Sequence, residues 1–190
     1  MRIPYLIFFI SNLLFAQTKL IKDVDLDGIK DTIYIDAENS KLVSLLSTQN
    51  FKKVNSGEIE SLDGQVSLKS TSNGFRLNID WMRAGYACQF RYNKLEKEIQ
   101  LIGMSRYEFG PANNDGSGES SVNLLTGNYI GDWNYYDLRK EQLIKIPKIN
   151  IKMILPKTFF EDFSESIVSN YSEKCANLFN KRKKQLQKRN

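Results

Sequence analysis

The chain contains no histidine. That absence removes Ser-His-Asp and Cys-His catalysis, histidine-ligated zinc and imidazole acid–base chemistry. Cysteine is scarce as well: Cys88 and Cys175 are the only two in 190 residues. Two thiols without histidine do not make a dedicated zinc site. Only 4 prolines occur, none in a proline-rich linker, and no internal repeat stands out. After residue 16 no stretch approaches the roughly 20 apolar residues that a spanning helix needs. Neither cysteine has the neighbours expected of a catalytic thiol.

What is present fits one globular domain. Apolar residues make up 41% and charged residues 26%, both ordinary for a packed chain. The net charge of +5 does not describe the body of the protein. Lys181, Arg182, Lys183, Lys184, Lys188 and Arg189 crowd the C-terminus, and without those six the net charge becomes −1. A basic tail over residues 181–190 suits a helix C-terminus, where cations oppose the backbone dipole. It also permits weak contact with an anionic surface. A near-neutral body gives no reason to expect a nucleic-acid partner.

The first residues have the form of a secretory signal peptide. Arg2 supplies the positive start. Residues 3–15 are apolar except for Pro4, Ser11 and Asn12, and Ala16 is a small residue at a cleavage point. The expected organisation is a signal over residues 1–16, one β-rich domain over 17–180, and the basic tail. The expected location is secreted or periplasmic, with no transmembrane segment after cleavage.

Alternation of apolar and polar residues predicts strands over 32–36, 41–48, 65–70, 75–81, 86–92, 99–107, 121–125, 129–133 and 148–154. A further short strand is expected over 58–62. Asn73-Gly74 is a hairpin turn signal. After Pro156 the period changes. Phe160, Phe163, Ile167, Tyr171, Cys175 and Leu178 recur every three or four residues, which predicts an amphipathic helix from about residue 157. The expected fold class is α+β, a mainly antiparallel sheet with one C-terminal helix packed on it. Cys88 and Cys175 both fall on apolar faces. An oxidising compartment allows a disulfide between them, and two buried thiols are the other reading.

The sharpest chemical signal lies at residues 23–31. Asp23, Asp25 and Asp27 occupy positions one, three and five of a calcium loop. Gly28 stands where the chain must turn, the Ile29 carbonyl follows at seven, and Asp31 at nine. Position twelve is Tyr34 rather than the bidentate glutamate of an EF-hand, and a strand follows instead of a helix. The loop resembles the D-x-D-x-D-G-x-x-D calcium loops of FG-GAP and VCBS repeats, which also run into a strand. It is similar, too, to the leading loop of exported bacterial β-rich proteins of unassigned function. The likeness covers these residues only, and one copy does not imply a propeller. It implies a structural calcium ion, export and a β-rich architecture, not an activity. Without the glutamate the expected affinity is in the extracellular range, roughly 0.1–1 mM.

Two function classes remain. The first is a non-catalytic binding or interaction protein, of the inhibitor or immunity type, with an unidentified protein partner. Its expected contact surface is the turn-rich segment carrying Asn113, Asn114, Asp115 and Glu119, flanked by Tyr107 and Phe109. The second is a glycan- or cell-wall-acting enzyme using paired carboxylates. Asp80, Glu108, Asp115, Glu119 and Asp132 are its candidates, with Trp81, Trp133, Tyr135 and Tyr136 available for stacking. No residue is singled out as catalytic.

Overall fold

The computed structural model describes residues 18–188. The expected signal peptide lies outside them. The described residues form two antiparallel sheets and one α-helix. A four-stranded meander comprises β1 (Lys19–Lys22), β2 (Asp31–Asp36), β3 (Lys41–Leu45) and β4 (Lys53–Asn55), in the order β1-β2-β3-β4. A second meander runs through β5 (Gln65–Thr71), β6 (Gly74–Asp80), β7 (Ala84–Asn93), β8 (Glu98–Glu108), β9 (Gly118–Asn123), β10 (Asn128–Asp137) and β11 (Gln142–Lys145). A last strand, β12 (Ile149–Lys152), pairs with the first half of β10, while β11 pairs with its second half. The helix α1 (Glu165–Gln187) closes the described chain. The architecture is the α+β arrangement expected from the alternation pattern.

Period two gives the large sheet one apolar face. Across β6, β7 and β8, Leu77 lies opposite Cys88 and Cys88 opposite Met104, and all three are buried. Phe75 lies opposite Phe90 and stacks on it, with ring centroids 5.0 Å apart. The register shifts between Gln89 and Phe90. That bulge lets Leu101 and Met104, three residues apart, both face inward. One continuous core joins these side chains to Leu20, Ile33 and Leu42 of the small sheet and to Val168, Tyr171 and Cys175 of α1.

The helix begins at Glu165, later than the expected residue 157. Strand β9 pairs only with residues 103–108 of β8, which leaves the start of that β8 edge free. The stretch 158–160 fills the gap. Leu101 N donates to the Thr158 carbonyl at 3.0 Å, and Phe160 N donates to the Ile99 carbonyl at 2.9 Å. Residues 160–162 then form a turn, Phe163 N donating to the Phe160 carbonyl at 3.3 Å. Phe160 and Phe163 are thus core residues of a bridge-and-turn segment, and both meet the Phe90 ring edge-on. The expected strand over 58–62 is also corrected. Ile59 and Leu62, three apart, are both buried, and Glu60–Asp63 forms a 3-10 turn. The basic cluster Lys181, Arg182, Lys183 and Lys184 lies in the last turns of α1.

Cys88 and Cys175 are buried and unbridged. Each has a packing role that does not involve the other. Cys88 sits between Leu77 and Met104 in the sheet. Cys175 lies 3.5 Å from the Ser120 hydroxyl, beside Tyr171, whose own hydroxyl is 2.9 Å from Ser120. Burial pushes the phenol of Tyr129 up to about 12, with Cys175 adding to the effect. Burial pushes Tyr171 up in the same direction.

Two outcomes follow. Phe90 contacts Phe75, Phe160 and Phe163 at once, so Phe90→Ala should cost about 3–5 kcal/mol in a denaturant titration. A phenol with a raised folded-state pKa stabilises the fold fully below the free value and loses that contribution as pH rises. Stability should therefore fall from about pH 10 toward about 12. Tyrosine ionisation followed by absorbance should lag in the folded protein and complete on unfolding.

Candidate metal centre and outer sheet face

The 23–31 loop joins β1 to β2, and its shape is set by carboxylates binding backbone amides. Asp23 accepts from Leu26 N at 2.7 Å, Asp27 N at 3.2 Å and Gly28 N at 3.0 Å. This wrap needs left-handed backbone at Leu26 (φ 65°) and Gly28 (φ 94°). The glycine adopts that conformation without a Cβ penalty. Asp27 accepts from Ile29 N at 2.7 Å and from the Ser47 hydroxyl at 2.7 Å. The Ile29 amide, followed by Ser47, holds the Asp27 carboxyl below the usual carboxylate range.

Asp23, Asp25 and Asp27 converge, each offering an oxygen within 4.8 Å of the other two. Such a group can hold a metal ion. Asp25 is 3% exposed, and its Oδ2 accepts from the Thr48 hydroxyl at 2.7 Å and Thr48 N at 3.2 Å. Its other oxygen, Oδ1, is buried and has no hydrogen-bond partner among the described residues. A buried carboxylate oxygen without a partner is costly. Three carboxylates at this separation also repel one another. A cation in their midst relieves both.

Asp31 does not join the group, which corrects its expected place among the ligands. It is fully buried and serves as a staple. Oδ2 accepts from Val24 N at 2.6 Å and Asp25 N at 3.2 Å, while Oδ1 accepts from Ser47 N at 2.8 Å. One side chain thus fixes the loop against the turn that follows β3. Ile29 is exposed, with its amide engaged by Asp27. Ser47 and Thr48 contribute hydroxyls to the cluster from 20 and 23 residues away. Nothing local in the sequence marks them, because the β2–β3 hairpin brings them in.

The second concentration of polar groups lies on the outer face of the large sheet. The strand registers arrange this face in three rows. Asp80, Gly85, Tyr107, Glu119 and Asp132 form one, strand by strand. Asn78, Ala87, Ser105, Ser121 and Ile130 form the next, and Arg76, Gln89, Gly103, Asn123 and Asn128 the third. The middle row is short, and a depression of about 290 Å³ opens over it. A second depression shares Arg76, Ala87, Ser105 and Ser121 with the first. The Tyr107 ring packs over its neighbour Gly85. A Cβ on Gly85 would come within 2.6 Å of the Tyr107 ring, so the glycine makes room for it. The Tyr107 hydroxyl donates to Asp80 at 3.1 Å. Desolvation, then the Asp80 carboxylate, raises the Tyr107 phenol above its usual value.

The expected contact residues divide between two places. Tyr107 and Glu119 line the depression, and Phe109 packs on Tyr107 at 5.4 Å. Asp115 instead turns to α1, pairing with Lys183 at 2.7 Å and accepting from Tyr136 N at 2.7 Å. Asn113 accepts from Asp115 N at 3.1 Å, and Asn114 takes a left-handed turn, φ 57°. That segment is pinned to the sheet and helix. Of the expected stacking residues, Trp133 and Tyr135 are buried on the inner face. Trp133 receives Arg106 over its ring at 5.4 Å, and Trp81 is half exposed beside Tyr86.

The staple and the cluster are separable by mutation. Asp31→Ala leaves three amides without their acceptor, at about 1–3 kcal/mol each before water compensates. It should lower stability by roughly 3 kcal/mol whether or not a divalent cation is present, measured by urea unfolding. No family model matches this chain, and neither a curated protein nor a solved structure matches it.

Proposed function

We propose that this is an exported, non-catalytic binding protein whose 23–31 loop takes up calcium as a structural brace. One observation carries the metal reading: the buried, unpartnered Oδ1 of Asp25 within a three-carboxylate cluster. The ligands are hard oxygens on a loop with few rigid side chains, a donor set that suits calcium over softer metals. Magnesium demands a near-ideal octahedron and holds its waters tightly, so this loop favours the larger ion. Export supports the same reading, because extracellular calcium reaches the concentration that a weak site needs. The leader-like residues 3–15 support export. Among the described residues no helix is long and apolar enough to cross a membrane.

Binding is favoured over hydrolysis by the state of the candidate carboxylates. Glu108 pairs with Arg106, and Asp115 with Lys183. Asp132 pairs with Lys145 and Lys148, and Asp80 accepts from Tyr107. Paired-carboxylate hydrolysis requires one free acid and one free nucleophile or base across a cleft. The enzyme reading has one point in its favour, since Asp80, Glu119 and Asp132 line the same depression. Two of those three are already committed to structural partners.

Calcium at one to ten times its dissociation constant should stabilise the fold by about 0.4–1.4 kcal/mol. Thermal melts in calcium, in magnesium and in chelator would show this as a calcium-selective rise in Tm. Asp25→Asn should abolish the rise. In chelator it should melt no lower than the parent protein, because it removes one of three clustered charges. Equal responses to calcium in both proteins would exclude the cluster as the binding site.

A further inference from the structure

We propose that the outer face of the large sheet binds a neutral oligosaccharide, laid across the strands above Ala87, Ser105 and Ser121. This deepens the binding reading and rests on it, but it does not depend on the metal loop. The registers place these three small residues side by side on β7, β8 and β9. Tyr107 and Glu119 on one side and Gln89 and Asn123 on the other carry longer side chains, while Gly85 and Gly103 leave gaps in these walls, so the floor is a shallow, partly open trough. Its depression of about 290 Å³ is near the small end of ligand sites.

The chemistry of the rim selects the ligand. Asp80 and Glu119 accept, Arg76 donates (its Nη2 already reaches the Ser105 hydroxyl at 3.1 Å), and Ser105 and Ser121 can do both. Sugar hydroxyls likewise donate and accept, and neighbouring pairs of them match a carboxylate or a guanidinium fork. Asn78 is 9% exposed at the floor, and its Nδ2 makes only long contacts to Ser67, at 3.4 and 3.5 Å. Its amide is therefore available to a better-placed partner. Tyr107 adds a platform. Gly85 leaves room for the ring over the strand, Asp80 fixes its hydroxyl, and Phe109 packs against it. A partly exposed ring packed over the strand at Gly85 offers apolar surface to the apolar face of a pyranose.

Other ligand classes fit less well. Lys145 and Lys148 offset Asp132, and Arg76 faces Asp80 across the same depression. No strong field of one sign remains to hold a polyanion. Ile130 is the one large aliphatic side chain in the middle row, at 44% exposure. An apolar peptide would need deeper anchoring pockets.

The test is a panel of cello-, chito-, malto- and xylo-oligosaccharides against the intact protein, followed by calorimetric titration of whichever binds. At least one is expected to bind, equally well in calcium and in chelator. Ser121→Trp fills the trough from an exposed position and should abolish binding. Tyr107→Ala should weaken it at least tenfold, whereas Tyr107→Phe keeps the ring and should stay within a few-fold. Binding that survives both Ser121→Trp and Tyr107→Ala would overturn the site. So would a silent panel at roughly millimolar sugar. A silent panel with a protein partner held equally by parent and Ser121→Trp would remove the saccharide site alone. A silent panel with no retained partner would remove the binding reading as well.

Discussion

The pleat of the large sheet is the constraint on which the rest of the structure depends. Successive residues of β6–β10 point to opposite faces, so one set of strands carries two chemistries. The inner face holds Phe75, Leu77, Phe90, Met104 and Tyr129, all buried. The helix and the small sheet are recruited to cover it. The outer face holds Asp80, Asn78, Arg76, Tyr107 and Glu119. A slip of one residue in any register would exchange the two sets. The single register shift, at Gln89 and Phe90, keeps Leu101 inside while Gly103 stays outside.

The N-terminal loop has a different logic, because its backbone is held by carboxylates rather than by strand pairing. Asp31 accepts from three amides, and Asp23 from three more. Those bonds preorganise the loop, and they leave Asp25 with a buried oxygen that nothing in the described chain satisfies. The loop is stapled to the turn after β3, at the edge of the small sheet. The carboxylate cluster that could hold a metal and the outer face of the large sheet therefore belong to different sheets. A brace in one and recognition on the other need not be coupled.

Much of this was legible in the sequence for physical reasons. Strands with clean alternation, such as β6 and β7, were found within a residue or two, because burial on one face imposes period two. Short edge strands were missed. Lys19–Lys22, Lys53–Asn55 and Gln142–Lys145 carry little apolar signal, and their neighbours define them. The helix starts later than the spacing predicts because Phe160 and Phe163, three apart, share a face through the turn at 160–162 and serve as core residues ahead of the helix. At the candidate metal centre, Asp23, Asp25 and Asp27 were legible from spacing alone. The staple role of Asp31 was not, nor were Ser47 and Thr48, since each depends on a hairpin closing. The outer face was legible only as leftover polar positions. Its rows became visible once the registers were known.

The separation of brace from recognition face is the central claim, and amide-resolved NMR tests it most directly. Calcium added to the chelated protein should shift amide signals of residues 23–31 and of Ser47 and Thr48. The amides of Ala87, Ser105 and Ser121 should stay in place. Calcium-induced shifts confined to the large sheet, or none at all in the 23–31 loop, would contradict the account.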